Sequence, residues 1–254
     1  MKNLAIIGGT GLTQMVGLEV LRREVVETPF GPPSAAITVG KLWGQTLHFL
    51  PRHGDDHHLP PHKINYRANI WALAALGIKN IIAFAAVGGI TPEASPEKIV
   101  LPDQIIDYSY GREQTFFDGE AMGVSHIDFS QPYCPFLRKG LLAAACAAKV
   151  DFMGSGTYGV TQGPRLETAA EINKLEKDGC DIVGMTAMPE AALAKEQGLG
   201  YATLAIVVNP AAGRTTEMIT LDTIRTTLAA GMVSGVSVLE AFLSHSIQQD
   251  QRDL

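Results

Sequence analysis

Cysteine is scarce in this 254-residue chain: Cys134, Cys146 and Cys180 lie far apart, with no CxxC spacing. That argues against a disulfide framework and against a cysteine zinc site, and it points to a reduced, cytoplasmic protein. Dense basic runs are missing as well. The 20 Lys and Arg are scattered among 26 Asp and Glu, for a net charge of -6, so the long-range field disfavours nucleic acid and anionic membrane. Any phosphate must therefore be gripped locally. The longest apolar run, IIAFAAVGGI, is about half the roughly 20 residues that span a bilayer. The start, MKNLAIIGGTGL, is interrupted by glycines and lacks a small-residue cleavage site, so it reads as a first strand rather than a signal. No repeat, linker or low-complexity segment is visible.

What is present is ordinary globular composition, 46% hydrophobic and 18% charged, with 26 glycines that imply tight turns and close backbone approaches. A chain of this length buries one large core, so a single domain over residues 1–254 is expected. Strand-like runs recur as NLAIIGG, AAITVG, TLHFLPRHG, NIIAFAAVGG, IVLPDQIIDYS, TYGVTQG, DIVGMTA and YATLAIVVN. Helical patterns fall near 66–76, 135–149, 168–178, 189–197 and 221–244. The alternation predicts an α/β fold, a central mixed sheet flanked by helices. In open α/β sheets ligands bind beyond the carboxyl ends of strands, which directs attention to GGTGL, RHGDDHH, AAVGG, TQGPRLET, GMTAMPE and VVNPAAGR.

The segment RHGDDHHLPPH, residues 52–62, holds four of the seven histidines. His53 and His57 have metal-ligand spacing only on a helix, which Gly54 and the Pro60-Pro61 pair oppose, and there is no HExxH pattern. Arg52 would repel a dication, whereas Arg and His together suit an oxyanion, so an anion site is the better reading; a solvated polar loop is the alternative. GGTGL offers backbone amides and the Thr10 hydroxyl to a phosphate, but it is not GxGxxG and by itself reads more readily as a structural turn. FAAVGG is either tight packing or a place where a ligand approaches the backbone.

Taken in order, GGTGL, TPFGPPS, RHG…H…P…NYRANIWAL, AAVGG, HIDFSQPYC, GPRLET, GMTAMPEAALAKE and VVN resemble the trimeric purine nucleoside phosphorylase and methylthioadenosine phosphorylase family over about residues 4 to 245. The resemblance implies that fold, a homotrimer with sites at subunit interfaces, and phosphorolysis: phosphate attacks C1' as the purine leaves, with phosphate as co-substrate and no metal or organic cofactor. It implies a phosphate site from Thr10, Arg52, His53, Ala85, Ala86 and Thr186, with Met185 under the ribose. His57 would stand near the ribose and its 5' substituent, and His126 would reach a neighbouring subunit's site. Leu166, Asn209, Pro210 and Ala211 would line the nucleoside site. The methylthioadenosine enzymes carry a threonine where this chain has Ala85, which removes one hydroxyl contact to phosphate. Arg52 and His53 would orient the nucleophile, and Asn209 would stabilise the departing base.

Specificity rests on three positions. Methylthioadenosine phosphorylases resemble one another in an Asp-x-Asp pair after the strand YATLAIVV, where this chain reads Asn209-Pro210-Ala211. An amide accepts from purine N7-H and donates to a 6-oxo group, and Glu167 accepts an N1-H that adenine lacks. The bland readings are a turn-stabilising Asn209 and a helix N-terminal Glu167. Leu221 stands where ordinary purine nucleoside phosphorylases place a histidine for the 5'-hydroxyl, so it suits a methylthio group, or is simply the first apolar residue of a helix. The combination leads us to expect cleavage of S-methyl-5'-thioinosine to hypoxanthine and 5-methylthioribose 1-phosphate. S-methyl-5'-thioadenosine, then inosine and guanosine, are the alternative substrates. A non-catalytic nucleoside-binding protein or a metal-dependent hydrolase are the readings from other classes.

Overall fold

The computed structural model describes residues 3–9, 17–119 and 123–252. The chain runs β1 (Leu4–Gly8), β2 (Glu19–Glu24), β3 (Ile37–Leu42), β4 (Gln45–Pro51), α1 (Tyr66–Ala75) and β5 (Asn80–Gly89). It continues through β6 (Ile99–Val100), β7 (Gln104–Asp107), α2 (Pro135–Ala148), β8 (Phe152–Met153) and β9 (Thr157–Val160). Last come α3 (Ala169–Lys177), β10 (Ile182–Gly184), α4 (Ala187–Glu196), β11 (Gly200–Pro210) and α5 (Leu221–Arg252).

β5 organises the sheet. Asn80–Ala83 pair in parallel with β1, the full strand pairs in parallel with β11, and Gly88 and Gly89 pair antiparallel with β10. From there the sheet continues through β4, β3 and β2 on one side and through β9 and β7 on the other, while β11 carries β6 and β8. The architecture is the mixed α/β sheet expected. A strand presents alternate residues to opposite faces. Ile81, Ala83, Ala85 and Val87 thus enter a core under α1 and α4, and Ile82 and Phe84 enter a second core under α2 and α5. Each fully buried large aliphatic or Phe side chain contributes about 1.5–3 kcal/mol.

Several expectations are corrected. IVLPDQIIDYS is two strands, because Pro102 interrupts the ladder; β6 pairs with β11 and β8, whereas β7 pairs with β9. β2, EVLRRE, was not anticipated: it is an edge strand whose side chains are exposed or half-buried, so no hydrophobic alternation marks it. β8 is only two residues long. α5 runs on to Arg252, and over Leu221–Ser244 it is long and apolar enough to cross a membrane, although interspersed polar residues keep any continuous apolar run there short. About a third of that stretch is buried, with Val238, Leu239, Phe242 and Leu243 packed in the second core.

Candidate active site

β1, β4, β5 and β11 run in parallel, so their carboxyl ends open on one edge of the sheet, and Arg52 follows directly on β4 with its N–H donated to the Gly8 carbonyl (2.8 Å). Its guanidinium turns inward. Nε and Nη2 donate to the two carboxylate oxygens of Glu190 at 2.6 and 2.7 Å, Nη1 donates to the Phe84 carbonyl at 3.0 Å, and Tyr201 donates its hydroxyl to the same carboxylate. Arg52 is 2% exposed and Glu190 0%. Burial works against the arginine's charge, but the Glu190 carboxylate overrides it and holds the pKa above the ordinary value. This corrects the expectation that the Arg52 charge serves an anion alone: it forms a bidentate buried ion pair, and only one N–H on each Nη remains for a ligand. Sequence reasoning missed Glu190, although a lone carboxylate inside the apolar stretch AMPEAALA was its signal.

His53 is fixed beside this pair. Nδ1 lies 2.8 Å from the Leu59 carbonyl, and the ring stacks on His57 at 4.5 Å between centroids and 28° between planes. Burial and the neighbouring Arg52 depress its pKa to about 4. His57, expected near the ribose, thus supports His53, with its backbone in the left-handed region at φ 53°. Residues 52–57 form turns, not the helix a two-histidine metal site needs. Among the described residues, no group of three or more His, Cys, Asp and Glu is gathered as a metal site.

The next strand ends extend the same edge. Ala85 is buried, while Ala86, one residue further along a central strand, is exposed. Thr186 is the N-cap residue of α4; its side chain makes no capping hydrogen bond and faces the buried Tyr158 hydroxyl. Met185 packs against Gly163, where φ is +63° and an added Cβ would collide with the Met185 sulfur, so only glycine fits. Arg112, also missed, ties this region together. It donates to the carbonyls of Thr161, Gln162, Met185 and Met188, to the Gln162 side chain and to Tyr66. Its partners are mostly backbone carbonyls, which no sequence pattern reveals.

At the far end of β11 the ladder shifts: Val207 pairs with Val87 but Asn209 pairs with Gly88. This bulge places Asn209 on the face of Gly88 instead of Gly89, a common device for re-aiming a side chain. One amide N–H goes to the Pro210 carbonyl at 2.7 Å, leaving Oδ1 and the other N–H. Pro210 remains in the ladder, opposite Gly89. Ala211, expected beside the substrate, is instead 2% exposed and packed with Ile90, Ile172, Leu175 and Val183, because its N–H is drawn in to the Gly89 carbonyl. Glu167 accepts from the Thr161 hydroxyl at 2.6 Å and keeps its second oxygen. It lines an open cleft of about 320 Å³ together with Thr161, Gln162 and Gly163; Arg52, His53 and Thr186 lie outside that cleft.

Three expected residues stand apart within the single chain. Leu166 is largely exposed, Leu221 is 70% exposed at the start of α5, and His126 is exposed in an irregular segment. Among the described residues, Leu221 is not part of the cleft at Glu167. Thr10 lies outside the described residues.

Comparison with known proteins identifies the family. Residues 3–244 match the phosphorylase superfamily. A probable S-methyl-5'-thioinosine phosphorylase of Pseudomonas syringae pv. tomato is 52% identical over 95% of this chain and 98% of its own. The 6-oxopurine nucleoside phosphorylase of Pyrococcus furiosus is 48% identical over 87% of this chain and 84% of its own. Among solved structures, a methylthioadenosine phosphorylase from an antarctic soil metagenomic library superimposes with a TM-score of 0.89 and 36% identity, covering 98% of this chain and 87% of that one. With sequence matched almost end to end and the fold shared, the chain belongs to the phosphorylase superfamily.

Proposed function

We propose that the protein cleaves S-methyl-5'-thioinosine with inorganic phosphate, releasing hypoxanthine and 5-methylthioribose 1-phosphate, as a purine nucleoside phosphorylase of the pentosyltransferase class. The observation that carries the reading is the base end. Glu167 keeps a free carboxylate oxygen beside the cleft, and the bulge in β11 leaves the Asn209 amide with an acceptor and a donor. That pair suits the N1-H, N7-H and 6-oxo group of hypoxanthine better than adenine, whose N1 presents a lone pair to a carboxylate. The likeness to the Pseudomonas enzyme supports the same substrate.

In this reading phosphate is the co-substrate, held by the free N–H groups of Arg52, by His53, Thr186 and the Ala85-Ala86 backbone, with Thr10 completing the clamp. Met185 lies under the ribose. Asn209 donates or accepts at the purine as negative charge develops on it, an interaction that strengthens toward the transition state. No metal or organic cofactor takes part. The enzyme works in the cytoplasm as a homotrimer, whose neighbouring subunit brings His126 toward the site and covers Leu221, so that the 5' pocket closes only on assembly. The exposed Leu221 supports that arrangement. Cleavage of S-methyl-5'-thioadenosine is the second reading, supported by the solved structural relative.

One assay separates the reaction class from a hydrolase or a binding protein: protein, S-methyl-5'-thioinosine and EDTA, with and without phosphate. Hypoxanthine should form only when phosphate is present. Release without phosphate, or none with it, contradicts phosphorolysis.

A further inference from the structure

His53 is held so that it offers an incoming anion a lone pair rather than a proton. Its Nδ1 lies 2.8 Å from the Leu59 carbonyl, and a carbonyl oxygen can only accept, so the proton of the neutral ring sits on Nδ1. The His57 ring stacked at 4.5 Å keeps the imidazole from turning over. The ring is neutral near physiological pH, since burial and the adjacent Arg52 hold its pKa at about 4. Nε2 is then a bare acceptor, and none of the hydrogen bonds among the described residues reaches it. The other half of the clamp is electrically balanced as well, because the Arg52 charge is matched by Glu190.

Resting on the reading of this corner as the phosphate site, we infer that it selects oxyanions that carry a proton: hydrogen phosphate binds by donating its P–OH to His53 Nε2 while its other oxygens accept from Arg52. The preferred class is therefore a hydrogen oxyanion of a pentavalent centre, phosphate or arsenate. Sulfate and monofluorophosphate are tetrahedral dianions of similar size that carry no proton at neutral pH. Either would set an oxygen or fluorine lone pair against the Nε2 lone pair, with nothing to join them. His53 thus acts as a specificity residue for the anion, and His57 and the Leu59 carbonyl are the groups that position it.

The test is competition at neutral pH and constant ionic strength, with the unmodified protein turning over S-methyl-5'-thioinosine. Sulfate and monofluorophosphate should have inhibition constants at least about tenfold above the phosphate KM, as expected when a buried acceptor is left unpaired. Arsenate should compete within about threefold of phosphate, because it retains the proton that the acceptor needs. In His53→Gln, whose amide can turn an N–H toward the anion, the gap between sulfate and phosphate should shrink. Sulfate and monofluorophosphate competing as well as arsenate in the unmodified protein would overturn the inference while leaving phosphorolysis intact. An unchanged gap in a folded His53→Gln protein would overturn it too. Turnover that ignores phosphate altogether would instead remove the phosphorolysis reading, and this inference with it.

Discussion

Arg52 and Glu190 illustrate how a residue selected for a ligand can owe its position to a buried partner. Two charges taken out of water are tolerable only when they satisfy one another, and removing one partner costs about 3–5 kcal/mol because the other is left buried and unpaired. Arg52→Ala should therefore lower stability by about that amount, as well as weakening phosphate. Chemical denaturation should show part of the loss recovered when Glu190→Gln is added. A destabilisation below about 1 kcal/mol for the single variant would mean that the ion pair is not what holds the arginine. The sequence placed Arg52 and His53 together in a loop after a strand that cannot form a helix, and the structure has them there as turns. It did not disclose Glu190 or Tyr201, because they lie on α4 and β11, more than 130 positions away from Arg52, and only the fold brings them together. Ala211 misled for a related reason. Whether a residue just past a strand faces ligand or core depends on where its N–H goes, and here it goes to Gly89. An aspartate introduced at 211 would enter an apolar cluster instead of meeting a purine.

Most secondary elements were readable, because β1, β5 and β11 are buried strands with nearly continuous apolar runs, and α2 and α3 show periodic patterns bounded by turns. The irregularities that shape the site were not. The bulge at Val207–Asn209 leaves no mark in composition, yet it decides which face Asn209 occupies. Arg112 likewise gathers the carboxyl ends of β9 and β10 through carbonyls that every residue possesses, and it reaches α1 through the Tyr66 hydroxyl. Without its fork, the Met185-Thr186 segment loses the donor that fixes it, and displacements near 1 Å at a reacting centre cost about a hundredfold in rate. Arg112→Met should lower kcat/KM for nucleoside by about that factor, and Arg112→Lys should restore little, since an ammonium cannot span four carbonyls in one plane. Steady-state kinetics alongside a thermal melt measures this; a folded Arg112→Met protein with unaltered kcat/KM would show that the strand ends keep their geometry unaided.

At the scale of the molecule, the fold places the Arg52–His53 corner proposed for phosphate and the Glu167 cleft proposed for the base beyond strand ends, and it leaves large apolar side chains uncovered. Leu221 at the start of α5 is 70% exposed and Met218, three positions before it, 83%, and Val124 in a separate loop is 72% exposed. The account therefore expects a trimer in sedimentation velocity at working enzyme concentrations, and a monomer that retains full activity would contradict it. The architecture was legible from the alternation of strands and helices, whereas the expectation of a trimer came only through resemblance, because exposure cannot be read from a sequence. The central claim is specificity: an amide and a carboxylate reading a 6-oxopurine, and an apolar 5' end. It is tested most directly by competition kinetics in excess phosphate with S-methyl-5'-thioinosine, S-methyl-5'-thioadenosine and inosine in the same vessel. Sites built on specific hydrogen bonds reject a mismatched partner by about 10⁴-fold, so S-methyl-5'-thioinosine should exceed S-methyl-5'-thioadenosine in kcat/KM by a large factor, with the loss mainly in kcat, and should exceed inosine by about tenfold or more. Equal kcat/KM values for the two methylthio nucleosides would contradict Asn209 and Glu167 as the residues that read the base.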